Sequence, residues 1–506
     1  MSQRPSAGIE PAAHPGQIPR ANIEYAIVRD DPREWSNGRK VHMVSYSRIW
    51  LDLVSVCDIE VHLSLAAIED IIRDLDGSFE SISWTISIHA LVTGCFPFLW
   101  GAFSEVHGRK AVYLVSIALF VLGSGVAGGA QDINMLIVMR ALQAIGGSAL
   151  LTIGAATLAD IYDAGERGSA MGLYYAAPLL GPSLGPIIGG ALTSLFSWRM
   201  TFYFLAIFGG VAFLGFVFFK DTFRPERSLV YQAALKDVAD TRQQNRQPVT
   251  VPSYGTGAGS LRAPAVDVHS ECQPLIQDSK LRFRDMHLLR PIIEVTKQWN
   301  NICIFVASGL VYGGVTYCIT YTSVKTFGGE PYNCGPLELG LVLLCFGVGN
   351  VFGSLFGGRW SDYVRNSYQV RNGGICEVED RLNSAKVMMP ILPLSLFAYG
   401  GLTERRYPLT PIAVAMFIAG FSSSWIYSSI LAYIVDANSG RSSSAVPVNS
   451  FCRGLMAFVA AEIAIPLQTA LGDGGLYSLL AGLMVLEGGL LLLLIAKGKS
   501  WRENTS

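Results

Sequence analysis

The sequence predicts an all-α integral membrane protein with twelve transmembrane helices in two six-helix bundles. Three observations lead there. Charged residues are only 15% of the 506 residues, while apolar types reach 51%, and an ordinary soluble domain carries about a quarter charged. The charges are also confined. They gather in residues 1–43 and 221–298 and leave charge-free runs at Ala111–Gln131, Ser169–Trp198 and Thr201–Phe219, each close to the ~20 residues that cross a hydrocarbon core. Finally, six apolar runs precede the polar segment 221–298 and six follow it. Lipid offers no water to backbone amides, so such runs must be helical. The ten-residue alternation of a β-barrel is not seen. A net charge of −1 gives no reason to expect nucleic acid as a partner.

Residues 1–41 are polar, contain Pro and Gly, and have no apolar core. They read as a disordered cytoplasmic N-terminal tail rather than a cleaved signal peptide. The N-terminal bundle (42–220) holds spans one to six at 42–66, 82–104, 111–130, 134–158, 169–192 and 200–220. The C-terminal bundle (299–496) holds spans seven to twelve at 300–324, 337–358, 387–403, 409–434, 444–470 and 475–496. Of Asp, Glu, Lys, Arg and His, Ser81–Ser104 contains only His89 and Gly475–Ala496 only Glu487. Segment 221–298 is a cytoplasmic linker whose centre, Gln243–Pro274, has the Gln/Pro/Gly/Ser composition of disorder. Its end, Leu281–Lys297, alternates basic and apolar residues like a helix lying on a membrane surface. Residues 497–506 form a short cytoplasmic tail. With the N-terminus inside, 30 of the 38 Lys and Arg fall on the inner side and 5 on the outer, so both termini are expected inside. Nine scattered Cys without a CxxC pair argue against a disulfide framework or zinc site, though Cys318 and Cys334 flank one outer loop. No metal or cofactor is expected.

The bundles carry a trace of duplication. Gly101-Ala-Phe-Ser-Glu105 after span two is matched by Gly358-Arg-Trp-Ser-Asp362 after span eight, as in transporters built from parallel repeats. Three motifs then fall in order. Gly101 to Glu105 continues through Gly108-Arg109-Lys110 and resembles the GxxxDRxGRR signature of the major facilitator superfamily. Arg140-Ala-Leu-Gln143-Ala-Ile-Gly146 in span four resembles that family's RxxQGxG element. Gly172, Gly181, Gly185-Pro186 and Gly189-Gly190 in span five fit G-x8-G-x3-GP-x2-GG at every position. That pattern resembles the antiporter signature of drug:proton exporters. Trp198-Arg199 at the start of span six resembles a further element of the family, and Gly358-Arg-Trp-Ser-Asp362-Tyr with the stretch Val435–Val446, which holds Asp436 and Arg441, is similar to the fungal twelve-span drug:proton antiporter branch, near the quinidine-resistance and dityrosine-exporter group. The resemblance runs from about Trp35 to Leu494. It departs at Val106, where the family has Arg, and in span one.

The resemblance implies that Glu105 latches spans together at the inner turn with Gly108, Arg109 and Lys110. Read from the residues alone, the same segment is a tight turn that sets topology by its charge. Arg140 is a guanidinium in the membrane, which is costly and needs a cavity or a partner. It is a candidate for proton coupling beside a carboxylate, or a hub for loose carbonyls. The span-five glycines allow close helix approach, and Pro182 and Pro186 bend the helix. Among the acids, Asp58 and His62 share one face of span one, while Glu60 lies about 200° from Asp58 at 100° per residue. Asp52 or Asp58 is the better proton carrier there, with Glu60 and His62 at a watery outer end. Glu462 in span eleven, one turn before Pro466, is a third proton-coupling candidate, on the side of Arg453. Glu487 reads as packed or snorkelling. Tyr175, Tyr312, Tyr317, Trp425 and Tyr427 are candidates for a substrate cavity, since flat rings bind apolar or cationic molecules without strict geometry, although interfacial belts use the same residues.

The expected function is secondary active transport: export of a small organic molecule (a drug, organic acid or secondary metabolite) by proton antiport with alternating access. The expected protein is a monomeric multi-pass plasma-membrane protein with protons, lipid and a small substrate as its partners. A proton symporter or facilitator for nutrient uptake, and a sensor on the same scaffold, remain alternatives. An enzyme is not expected, because there is no His-rich metal box, Ser/His/Asp cue or phosphate loop.

Overall fold

The computed structural model describes residues 67–161, 181–228, 289–371, 377–438 and 442–503, with a few isolated positions among the rest. Span one and the first half of span five, with Asp52, Asp58, Glu60, His62, Gly172 and Tyr175, lie outside the described residues, as do most of the tail and the linker centre. Residues 1–34 and 224–281 form one unit, and Trp35–Phe223 with Arg282–Ser506 forms another that contains both bundles. The described part of the first unit is little more than the short turn Pro225–Arg227 and some helix after it.

Among the described residues, eight helices are long and apolar enough to cross a membrane, or nine if Glu80–Cys95 and Pro97–His107 count as one span bent by 41°. That bend falls at Pro97, which has no N–H to donate and crowds the preceding turn. Span two therefore comprises Phe79–Cys95 and Pro97–His107, begun by Ser78, whose side chain accepts from the Ser81 N–H at 3.1 Å. Spans three, four and six are Arg109–Gly128, Ile133–Ile161 and Arg199–Val217, and the described part of span five is Gly181–Leu195. Span seven runs Trp299–Gly328 and span eight Pro336–Arg371. Span nine is Ile391–Glu404, entered through the 3-10 helix Val378–Val387, and span ten is Leu409–Ala437. Spans eleven and twelve share one assignment, Ser442–Glu503, broken at Gly472 (φ 71°). A Cβ there would also meet a Glu404 carboxylate oxygen at 2.8 Å, so glycine suits the corner on both counts.

Spans eight and twelve continue to Arg371 and Glu503, well past the ends at 358 and 496 that hydropathy suggests. The extensions are charged (Arg359, Asp362, Arg365 and Arg371; Lys497, Lys499 and Arg502), so they stay helical after leaving the apolar layer, which hydropathy does not register. A short helix at Leu289–Thr296 falls within the stretch expected to be amphipathic. On span six, Tyr203, Ile207, Val211, Leu214 and Phe218 are exposed, while Phe202, Leu205, Ala212 and Phe216 are buried. An apolar face turned outward at helical spacing is the surface that lipid covers. Cys318 and Cys334 are both free thiols.

Among the described residues, spans two, four, six, eight, ten and twelve finish, and spans three, seven, nine and eleven begin, at the end that carries Arg109 and Arg381, here called the basic end. Among the described residues the bundles meet along spans two and eleven and along spans five and eight, in the middle and toward the opposite, far end. A Cβ on Gly94 would lie 3.0 Å from the Gly454 Cα, and one on Gly454 2.6 Å from the Ala90 carbonyl oxygen. Small residues at such crossings let backbones touch.

Candidate functional site

The turn between spans two and three is built on Gly108, whose backbone is left-handed (φ 85°). The Asp221 carboxylate fills the space a Cβ would need, 2.0 Å away, and accepts the Arg109 N–H at 3.1 Å. The Arg109 side chain, 4% exposed, joins three spans. Nε donates to Asp160 at the end of span four (3.1 Å), Nη1 to Ser104 (2.5 Å), and Nη1 and Nη2 to Glu105 (both 3.2 Å). The guanidinium lies over the Phe223 ring at 4.8 Å, and Thr222 donates to Asp160 at 3.3 Å. Lys110 instead reaches the Val217 carbonyl at the end of span six, 2.7 Å away. A Cβ on Gly101 would meet nothing within 4 Å among the described residues.

The C-terminal bundle repeats this arrangement with different residues. Arg381 donates from Nε to Asp436 at the end of span ten (2.5 Å) and from Nη1 to Asp362 in the extension of span eight (3.2 Å). Each bundle thus holds one Arg between an acid in the last part of its second span and the acid ending its fourth. Sequence reasoning found the pair Glu105 and Asp362 but passed over Asp160, Asp221 and Arg381. The duplication was the available signal, since Asp160 and Asp436 close spans four and ten.

Within the N-terminal bundle, Arg140 is 1% exposed. It donates from Nη1 to the Gln143 side chain at 3.0 Å, and Gln143 donates to Ser124 of span three at 2.7 Å. Its guanidinium is 5.8 Å from the Phe202 ring centroid. The glycine of the same motif has a packing reason: a Cβ on Gly146 would stand 2.4 Å from the Ser116 carbonyl oxygen.

Of the described span-five glycines, Gly190 faces the other bundle. Gly181, Gly185, Pro186, Gly189 and Gly190 are buried. A Cβ on Gly190 would lie 2.4 Å from the Pro336 oxygen, and one on Gly340 2.4 Å from the Pro186 oxygen. Spans five and eight therefore touch backbone to backbone near the far end. On the opposite flank, Glu462 of span eleven, half-buried, accepts at the single oxygen Oε1 from Ser87 (2.5 Å) and Ser83 (3.3 Å) of span two. Ser83 also donates to the Ala461 carbonyl at 3.0 Å, and Trp84 meets Phe458 edge-on at 6.0 Å. The expectation that Glu462 sits on the side of Arg453 is corrected here. Glu462 points across to span two, while Arg453 bonds to Tyr427 and stacks on Tyr312, because the two positions lie on well-separated faces of one helix.

Tyr312 and Tyr317 contact each other at 5.5 Å between ring centroids. Trp425 does not join them. It donates to the Ser384 carbonyl at 3.2 Å and packs on Phe421 (5.6 Å) and Trp360 (6.3 Å), inside the bundle between spans eight, nine and ten. Two positions along span ten, Tyr427 lies about 200° round the helix and reaches Arg453 instead. Glu487 is packed, 1% exposed, with no hydrogen-bond partner at Oε1 among the described residues.

Paired helical bundles with small-residue crossings and ionic clusters at one end describe a multi-pass membrane transporter. The chain belongs to the Major Facilitator Superfamily, whose family model matches residues 53–461, and that family consists of transporters rather than enzymes. It is similar to the MFS antiporter QDR3 of Candida albicans, 26% identical over 87% of this chain and 76% of that protein. It is similar as well to citrate exporter 1 of Aspergillus niger, 26% identical over 93% of this chain and 88% of that one. Its fold matches a crystal structure of a POT family transporter in complex with 5-aminolevulinic acid, with a TM-score of 0.62 and 12% identity over 92% of this chain and 98% of that one.

Proposed function

We propose that the protein exports a small organic molecule across the plasma membrane in exchange for protons, with the basic end and both termini in the cytoplasm and a single chain as the working unit. The bundles alternate between closure at the far end and closure at the basic end. Relatives named as an antiporter and as an exporter support the direction.

The observation that carries the reading is Glu462, a carboxylate in a membrane span that holds two serines of the other bundle. Ser87 donates to Oε1, and Ser83 shares its one proton between Oε1 and the Ala461 carbonyl, leaving Oε2 to take the proton. A neutral carboxyl fits a closed helix interface, whereas a charged one favours water. Protonation from outside lets the far end close, and release of the proton inward, favoured when substrate binds, lets it reopen. Asp58 and Arg140 share the coupling. The cluster of Glu105, Gly108, Arg109 and Lys110 latches the basic end in the opposite state, and the glycines from Gly172 to Gly190 with Pro186 seal spans five and eight against leak. One inward charge at 100 mV supplies about 2.3 kcal/mol.

The test is transport in vesicles under an imposed pH gradient. Glu462→Gln should abolish gradient-driven efflux while leaving substrate exchange at zero gradient near the wild-type level. Gradient-driven export that persists in Glu462→Gln combined with Asp58→Asn overturns the mechanism, and net proton-driven uptake reverses the direction.

A further inference from the structure

Span eleven ends in the corner that Gly472 turns with a left-handed backbone, and the next residue is Asp473, half-buried. Spans seven, nine and eleven all send a group to this corner. Gln468 of span eleven, 7% exposed, donates from Nε2 to Asp473 Oδ1 at 2.6 Å. Thr326 Oγ1, near the end of span seven, stands 3.2 Å from either carboxylate oxygen and 3.1 Å from the Thr322 carbonyl, with one proton to give. Glu404, which ends span nine, accepts the Gly474 N–H at 3.0 Å. The corner also lies behind both contacts that the C-terminal bundle makes with its partner. The end of span seven leads through residues 329–335 into Pro336, which meets Gly190, and span eleven carries Glu462 against span two.

Both side chains that donate to Asp473 are neutral. Among the described residues no cation forms an ion pair with it, and Lys325 donates to Thr469 at 2.6 Å instead. A carboxylate removed from water, with neutral donors and a like charge close by, favours the proton. Burial and then the Glu404 charge raise the Asp473 carboxyl above the ordinary range, while the bonds from Gln468 and Thr326 and the charge of Lys325 oppose the shift. The other ionisable groups that face it are Cys318 of span seven, Tyr332 in the following loop, Tyr399 of span nine and Tyr477 of span twelve. Gln468 can serve both forms of the acid. Its Oε1 is buried and has no hydrogen-bond partner among the described residues. An ionised Asp473 takes the amide N–H, and a protonated one donates its O–H to the amide oxygen once the amide turns over. A neutral carboxyl fits a corner closed over it, whereas a charged one favours water.

We propose that Asp473 is a proton-binding site, occupied while the far end is closed, and that loss of its proton frees the end of span seven from the corner. The site is separate from Glu462 and does not depend on the export reading. A carboxyl whose value in the fold lies above its unfolded value of about 3.9 stabilises the fold fully below that pH. The contribution is lost as pH rises through the folded value. Hydrogen exchange of the purified full-length protein is followed by mass spectrometry and corrected for intrinsic rates. Exchange at residues 322–328 and 466–474 should rise several-fold between about pH 4.5 and pH 7.5. Asp473→Asn should keep exchange there low at both pH values and melt a few degrees above the wild type at the higher pH only. Glu404→Gln, which leaves Asp473 in place, should move the rise to lower pH, because a like charge is gone. Wild-type exchange that ignores pH, a rise that persists in Asp473→Asn, an equal melting gap at both pH values, or a rise that stays put in Glu404→Gln overturns the assignment. The wild-type profile and Glu404→Gln decide the matter even where Asp473→Asn does not fold.

Discussion

Gly190 and Gly101 belong to two equally recognisable motifs, yet their surroundings differ. At Gly190 a Cβ would strike the Pro336 carbonyl at 2.4 Å, while at Gly101 it would meet nothing within 4 Å among the described residues. Backbone cannot step aside as a flexible side chain can, so Gly190→Val should force spans five and eight apart. A loss of about 1–3 kcal/mol from overpacking is expected, read as a lower melting temperature in detergent together with strongly reduced transport. Gly101→Ala should stay within the error of the wild type in both assays. Equal damage from the two substitutions would mean that the motif acts through helix propensity rather than through this contact. The spacing in span five was legible in the sequence, but which glycine touches what was not, because contact depends on an element 146 positions later in the chain.

Elements are tied together at the basic end by the 3-10 helix Val378–Val387. Its Arg381 holds spans eight and ten, and its start holds the extension of span twelve. Glu379, 3% exposed, takes a two-pronged bond from Arg502 at 3.0 and 2.8 Å, and Lys499 reaches Glu377 at 2.6 Å. Removing one member of a buried pair leaves the other charge without compensation. Arg502→Ala should therefore destabilise by up to about 3 kcal/mol, and adding Glu379→Gln should restore most of the loss, since the stranded charge is removed with its partner. A double variant no more stable than Arg502→Ala would assign the loss to packing of the Arg stem. Hydropathy reading ended span twelve at 496 and so treated Lys499 and Arg502 as tail. The helix continues because helical hydrogen bonds form as readily in water-facing polar sequence as in lipid.

Among the described residues the bundles are pressed together along the middle and far half of the spans, through Gly94 with Gly454, Gly190 with Pro336, and Glu462 with Ser83 and Ser87. The proposed alternating access requires these contacts to part once per cycle. Trp84→Cys combined with Phe458→Cys, a pair in contact across the same interface, in a background without the native cysteines, should be joined by a short reducible cross-linker. Cross-linking should then stop transport, and reduction should restore it to at least half of the uncrosslinked rate. Undiminished transport with the link intact would mean that this interface stays shut while substrate moves.

What the sequence determined by itself was the class: a low and clustered charge content, runs long enough to span lipid, and glycine and arginine motifs in the right spans in the right order. These are legible because a bilayer imposes length and composition on each helix separately, without reference to its neighbours. The tertiary structure alone decided the partnerships. Arg109 meets Asp160 and Asp221, Arg381 meets Asp362 and Asp436, Glu462 turns to span two rather than toward Arg453, and Trp425 is buried away from Tyr312. Each partnership joins residues from different helices, or separates residues on different faces of one helix. Helix rotation and crossing are set by packing between helices, which no local pattern along the chain encodes.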